Sequence, residues 1–322
     1  MARASETSML LGELCAKQER TVRRVVPTIW LVVDGSGSML DPLSPGDATP
    51  RWDALRSALV DPSVGIVSQL QHQVRWALAL YDGPLPELAR SPDAGTVPPV
   101  GAGSCPRVIL VEPALDNFSR IDLAYPAAPL GGSTPTDKAL AAVSGYVSLP
   151  AAPTDPRGPN IVVLATDGAP NDFCSQALFP ADVKPRVLDA VTQLKAADAQ
   201  LYVVSLAGQD AQLTDHLEQV AAAGGTGKAP FVVQNKDELL QTFRDIIGPS
   251  LSCKVELTGE VDASRACQGK VQLNGSELGC NAPDGFRVEA PRMIELLGRS
   301  CEAYKNDAQA RLVAEFPCGG VD

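Results

Sequence analysis

Residues Ile29 to Val33 form an uninterrupted apolar run, Ile-Trp-Leu-Val-Val, that stops at Asp34-Gly35-Ser36-Gly37-Ser38. A short apolar run ended by glycines is the pattern of a strand buried on both faces, as in the middle of a parallel sheet. Ligands of open α/β sheets bind outside the carboxyl ends of the strands, and the carboxylate and two hydroxyls fall there. Hard cations such as Mg2+ take oxygen ligands. Asp34, Ser36 and Ser38 supply three, and Gly35 and Gly37 let the backbone curl them around one point.

Two further stretches extend this reading. Gly131-Gly132-Ser133-Thr134-Pro135-Thr136 is a second glycine-led loop, and Ile161 to Ala165 is a second apolar run, followed by Thr166-Asp167-Gly168. The three stretches, in this order, resemble the metal-ion-dependent adhesion site of von Willebrand factor type A domains. The resemblance covers roughly residues 27–248. It implies a metal site built from Asp34, Ser36, Ser38, Thr134 and Asp167, with Thr136 as a substitute for Thr134. It also implies a divalent cation, Mg2+ first and Mn2+ or Ca2+ as alternatives, that keeps an open position for an Asp or Glu of a partner protein.

The rest of this region alternates strand and helix patterns. Helical spacing covers 51–60, with Trp52, Leu55 and Leu59 on one face, and resumes over 64–73. Strands are expected at 74–81, 107–111, 161–165, 201–206 and 231–233. Helices are expected at 136–149, 184–197, 213–223 and 236–247, the last capped by Asn235. Residues 83–106 and 150–159 are rich in Pro and read as loops. Alternation at this spacing implies a doubly wound, mostly parallel α/β sheet with helices on both faces, a Rossmann-like arrangement. The family places the strand at 107–111 antiparallel on the sheet edge.

From 251 onward the pattern changes to short alternating segments at 254–258, 270–273 and 309–316. Asn274-Gly275 between apolar runs is a hairpin-turn signal. The expected organisation is a polar N-terminal segment at 1–26, the α/β domain at 27–249, and a small cysteine-rich β domain at 250–322.

Eight cysteines, Cys15, Cys105, Cys174, Cys253, Cys267, Cys280, Cys301 and Cys318, accompany only two histidines. No Cys-x-x-Cys spacing occurs, so a disulfide framework is favoured over a zinc site. Eight cysteines allow 105 connectivities. The topology of the resembled fold suggests Cys15–Cys253 and Cys105–Cys174, leaving Cys267–Cys280 and Cys301–Cys318 to staple the β domain. The cysteines imply an extracytoplasmic protein, although the N-terminus shows no signal-peptide pattern. An export signal upstream of residue 1 is the expected resolution.

A formal net charge of -11 argues against a nucleic-acid partner. No apolar stretch reaches the ~18 residues of a membrane helix. Ser36 lacks the Gly-x-Ser-x-Gly context of a nucleophile elbow, and His72 and His216 sit in helix-like stretches away from the metal loops. Gly224 to Lys228 follows a helix, the reverse of a phosphate loop. The expectation is therefore a binding module and not an enzyme: a metal-dependent, adhesion-type protein-binding domain. The alternative is a type A partner subunit of an intracellular ATP-driven chelatase, and a hydrolase ranks below both.

Overall fold

The structure, a computed structural model, describes residues 22–46, 48–83, 106–149, 157–174, 178–208, 211–307 and 310–316. The chain divides into two compact units, Val26–Leu251 and Met1–Val25 with Ser252–Asp322. The lead-in expected at 1–26 supplies strand β1 (Val22–Arg24) to the second of these. In sequence, the larger unit is therefore inserted after the first strand of the smaller one.

The larger unit is built on β2 (Val26–Asp34), β3 (Arg75–Asp82), β4 (Arg107–Ala114), β5 (Arg157–Thr166), β6 (Ala199–Ser205) and β7 (Phe231–Val232). Their order across the sheet is β4-β3-β2-β5-β6-β7. Every neighbouring pair is parallel except β3 with β4, so the antiparallel edge lies where it was expected. The apolar run Ile29 to Val33 is the middle of β2, and all of β2 is buried.

Successive β2 side chains point to opposite faces, and each face has its own helical cover. Ile29, Leu31 and Val33 join a cluster with α1 (Arg51–Val60), α2 (Ile66–Leu70), α3 (Phe118–Ala124) and a later helix, Lys236–Ile247. Trp30 and Val32 join a second cluster with α4 (Thr136–Val147), α5 (Pro180–Ala196) and α6 (Ala211–Ala223). The helix Lys236–Ile247, α7, is capped by the Asn235 side chain, which accepts from Glu238 N at 2.9 Å. The α/β fold class expected from the sequence is thus the one observed.

Three local expectations differ. Helix α5 begins at Pro180 and not Lys184, because proline suits the first turn of a helix, where its missing N–H has no partner to lose. Strand β5 starts at Arg157, inside the expected loop at 150–159. Helix α3 was not anticipated at all; it is only 7 residues long, too short for periodicity to register. The excursion expected at 83–106 lies outside the described residues except for its ends.

The smaller unit has two antiparallel sheets. One has the order β1-β8-β12-β11, with β8 (Lys254–Leu257), β11 (Phe286–Ala290) and β12 (Met293–Leu296). The other has the order β10-β9-β13, with β9 (Lys270–Leu273), β10 (Ser276–Leu278) and β13 (Leu312–Glu315). Val255, Leu257, Ile294 and Leu296 of the first sheet share one core with Val271, Leu273 and Ala314 of the second. Asn274 and Gly275 join β9 to β10 with φ of 51° and 83°. Positive φ at both central residues is the type I′ geometry that such hairpins need. Helix α8 (Gly298–Asn306) follows β12.

Cys267 is bonded to Cys280, as expected. Cys253 is bonded to Cys301, which overturns the expected pairings Cys15–Cys253 and Cys301–Cys318. The reason is local. Leu296 N donates to Cys253 O at 2.9 Å, so the end of β12 lies beside Cys253, and α8 carries Cys301 back over it with a Cα–Cα distance of 5.2 Å. Cys174 is also disulfide-bonded; its partner, like Cys15, Cys105 and Cys318, lies outside the described residues. Among the described residues no helix is long and apolar enough to cross a membrane.

Candidate functional site

Three loops meet at the carboxyl end of the larger sheet. The first leaves β2 at Asp34, whose side chain is fully buried, and enters a short 3-10 turn, Gly37–Leu40. The second is Gly131 to Pro135, before α4. The third leaves β5 at Thr166. Backbone hydrogen bonds tie them together: Gly131 N donates to Gly35 O at 2.9 Å, Gly37 N to Gly132 O at 3.3 Å, and Asn171 N to Thr134 O at 2.9 Å. Gly131 and Gly132 have φ of 79° and 107°, a region that side chains other than glycine rarely adopt.

The side chains form a chain of oxygen contacts. Asp34 Oδ1 accepts from Ser36 N at 2.9 Å, and Asp34 Oδ2 accepts from Thr166 Oγ1 at 2.6 Å. Ser36 Oγ lies 3.1 Å from Ser38 Oγ. Ser38 Oγ donates to Asp167 Oδ1 at 2.8 Å. Thr134 is placed by Asn171, whose Oδ1 accepts from Thr134 N at 3.0 Å. A methyl group on Gly168 would lie 3.4 Å from Thr134 Oγ1, 3.6 Å from Ser38 Oγ and 3.9 Å from Asp34 Oδ2. Oxygens of the first two loops therefore converge beside Gly168 of the third.

All five residues expected at the site, Asp34, Ser36, Ser38, Thr134 and Asp167, are brought together. Thr136 is not part of the group: its Oγ1 lies 3.0 Å from Tyr81 Oη, beneath the site. Sequence patterns did not single out Thr166, Asn171 or Arg51. Thr166 and Asn171 hold the loops, and Arg51 Nη1 donates to Asp167 Oδ2 at 2.7 Å. Among the described residues no three His, Cys, Asp or Glu side chains cluster as a metal site. The donor set is instead two carboxylates and three hydroxyls, all oxygen, which suits a small hard cation and not zinc or copper.

The electrostatics agree. Burial and then the neighbouring Asp167 carboxylate push the Asp34 pKa from 3.8 up to about 7. Burial also raises Asp167, against hydrogen bonds from Ser38 and Arg51 that lower it. Burial raises the Tyr81 hydroxyl well above its usual range, with the Asp34 charge adding to the effect. Two buried carboxylates side by side repel each other, and positive charge placed between them relieves that repulsion.

A pH dependence follows for metal-free protein. Between about pH 3.8 and 7 the folded chain holds an Asp34 proton that the unfolded chain has released. Stability therefore falls as pH rises, by about 1.4 kcal/mol per pH unit for one proton. His216, buried on α6 near Lys184, acts in the opposite sense: its pKa is lowered from 6.5 to about 4. Between those values the unfolded chain holds the extra proton, and stability rises with pH. The two slopes offset each other in the wild type. In Asp34→Asn the Asp34 share of the falling limb is gone, so its stability relative to wild type climbs with pH over this window. Urea unfolding of both proteins across this range tests it; parallel curves would contradict the Asp34 assignment.

No protein-family model matches the sequence, and no curated protein matches it. Solved structures are similar in fold. The PilB minor pilin from Streptococcus sanguinis is 16% identical with a TM-score of 0.50, over 70% of this chain and 61% of that one. The pilus adhesin SpaC from Lactobacillus rhamnosus GG is 14% identical with a TM-score of 0.49, over 93% of this chain and 40% of that one. Manganese-loaded TRAP protein from Plasmodium vivax is 15% identical with a TM-score of 0.43, over 85% of this chain and 94% of that one. The chain spans less than two thirds of the length of PilB and of SpaC. At such identities the likeness is one of fold: a mostly parallel α/β sheet with one antiparallel edge strand.

Proposed function

We propose that the larger unit is an adhesion-type binding module that captures an Asp or Glu side chain of a partner protein through a divalent cation, Mg2+ by default and Mn2+ or Ca2+ as alternatives. The observation that carries this is the convergence of the oxygens of Asp34, Ser38 and Thr134 beside Gly168, with Ser36 and Asp167 both in contact with the Ser38 hydroxyl. Ser36, Ser38 and Thr134 are neutral donors, and with Asp34 and Asp167 acting through bound water a cation would keep much of its charge. A third carboxylate, from outside, would then complete its shell.

Binding is favoured over catalysis by what surrounds the site. His216 is buried on α6, and the ring of His72 pairs with Asp116; neither is hydrogen-bonded to a site residue. The disulfides favour an extracytoplasmic setting over a chelatase-type role inside the cell. The likeness in fold to PilB is in keeping with that setting.

The test is calorimetric titration of Mg2+ and Mn2+ into chelator-treated, dialysed protein. Retention on a surface of acidic peptides, with Mg2+ and with chelator, follows. One saturable site and cation-dependent retention are expected. A folded protein that binds neither ion would refute the reading.

A further inference from the structure

Arg51, the first residue of α1, is hydrogen-bonded to two residues of the cation site without being an oxygen donor itself. Its Nη1 donates to Asp167 Oδ2 at 2.7 Å and to the Ser38 carbonyl at 3.3 Å, and lies 3.5 Å from Asp41 Oδ2. The Asp167 side chain is fully buried and that of Arg51 is 16% exposed. The other Asp167 oxygen accepts from the Ser38 hydroxyl. One guanidinium thus grips the outer oxygen of one donor residue and the backbone of another. A divalent cation among the donors would share Asp167 with this fixed positive charge.

We infer that Arg51 is an internal counter-cation for the site: it holds Asp167 and the Ser38 loop in place without a divalent ion, and it weakens binding of that ion by opposing its charge. The inference rests on the cation reading given above. Its physics is simple. A buried carboxylate left without a partner is destabilising, and the Arg51 guanidinium supplies that partner through one nitrogen, Nη1. The same charge repels a second cation a few ångströms away, and a partly buried pair is poorly screened by salt. The site is therefore pre-assembled yet binds its ion weakly, so that the ion's residual demand for a carboxylate falls on the partner. Lysine would keep the repulsion while losing the planar guanidinium that holds Nη1 against both Asp167 and the Ser38 carbonyl.

Calorimetry with Mg2+ and metal-free thermal unfolding of wild type, Arg51→Gln and Arg51→Lys test this. Arg51→Gln is expected to melt several degrees lower without metal and to bind Mg2+ roughly tenfold or more tightly. Arg51→Lys is expected to stay within a few-fold of wild type in affinity. Wild type that binds Mg2+, beside a folded Arg51→Gln that binds no more tightly, would overturn the inference and leave the cation reading standing. Absence of binding in both folded proteins would remove the cation reading and the inference together. If Arg51→Gln is unfolded without metal, refolding on addition of Mg2+ supports the counter-cation role. Failure to refold in saturating Mg2+ assigns Arg51 to packing and overturns it.

Discussion

Asp34→Ala is expected to abolish saturable Mg2+ binding, a loss of at least ~100-fold, while the sheet stays folded. Asp34 is the most buried of the five donors and ends the central strand. It supplies one of only two site carboxylates, and removing it leaves three hydroxyls and an Asp167 carboxylate already engaged by Arg51, which hold a hard cation poorly. The effect on folding is small for a specific reason. Deletion strands the Thr166 hydroxyl and the Ser36 N–H, which costs about 1–3 kcal/mol per buried group. Near neutral pH, however, the metal-free carboxylate is itself unfavourable, as its pKa of about 7 records. Asp34→Asn separates charge from shape, since its carbonyl can still accept from Ser36 N. It should fold like wild type and still lose the ion. An Asn variant that binds Mg2+ as wild type does would show that the ion, if any, sits elsewhere.

Much of this site could be read from the sequence because two of its three loops follow buried strands directly. Ile29 to Val33 and Ile161 to Ala165 mark β2 and β5 as buried strands; the structure makes them parallel neighbours, and Asp34 and Asp167 emerge at the same end. The glycines of the second loop gave its position. What remained hidden depends on side-chain contacts between segments distant in sequence. Arg51 lies 116 residues from Asp167, and nothing in the helix that it opens marks it as a partner. The choice of Thr134 over Thr136, read from the loop motif, agrees with the Tyr81 hydroxyl engaging Thr136 and with the Thr134 hydroxyl beside Gly168.

In the smaller unit, local signals worked and pairing did not. The Asn274-Gly275 turn was legible because two residues fix its backbone. Strands β11 and β12 were not read: Phe286 to Ala290 does alternate, but Pro291 interrupts the run and the register shifts at a bulge between Val288 and Ala290. Without β12 beside β8, the neighbour of Cys253 could not be identified. The expected Cys15–Cys253 bridge assumed that Cys253 closes the larger unit, whereas the chain after Leu251 already belongs to the smaller one.

That correction carries the second large effect. The Cys253–Cys301 bridge spans 48 residues. Loop-closure entropy for such a span corresponds to about 4 kcal/mol, against about 3 kcal/mol for the 13-residue span of Cys267–Cys280. The smaller unit rests on a single cluster of buried side chains, and a net stability of ~5 kcal/mol is ordinary for a small domain. Losing the longer bridge should therefore bring it close to unfolding, while the larger unit, with a cluster on each face of its sheet, is unaffected. The expected result for a Cys253→Ser, Cys301→Ser double variant is two calorimetric transitions, with the one from the smaller unit shifted down by ten degrees or more, since about 1 kcal/mol moves the midpoint of a domain of this size by roughly 4–8 °C. Cys267→Ser with Cys280→Ser should shift it less. Non-reduced peptide mapping must first recover the 253–301 linkage, and equal shifts for the two pairs would mean that loop length does not govern how these bridges stabilise the unit.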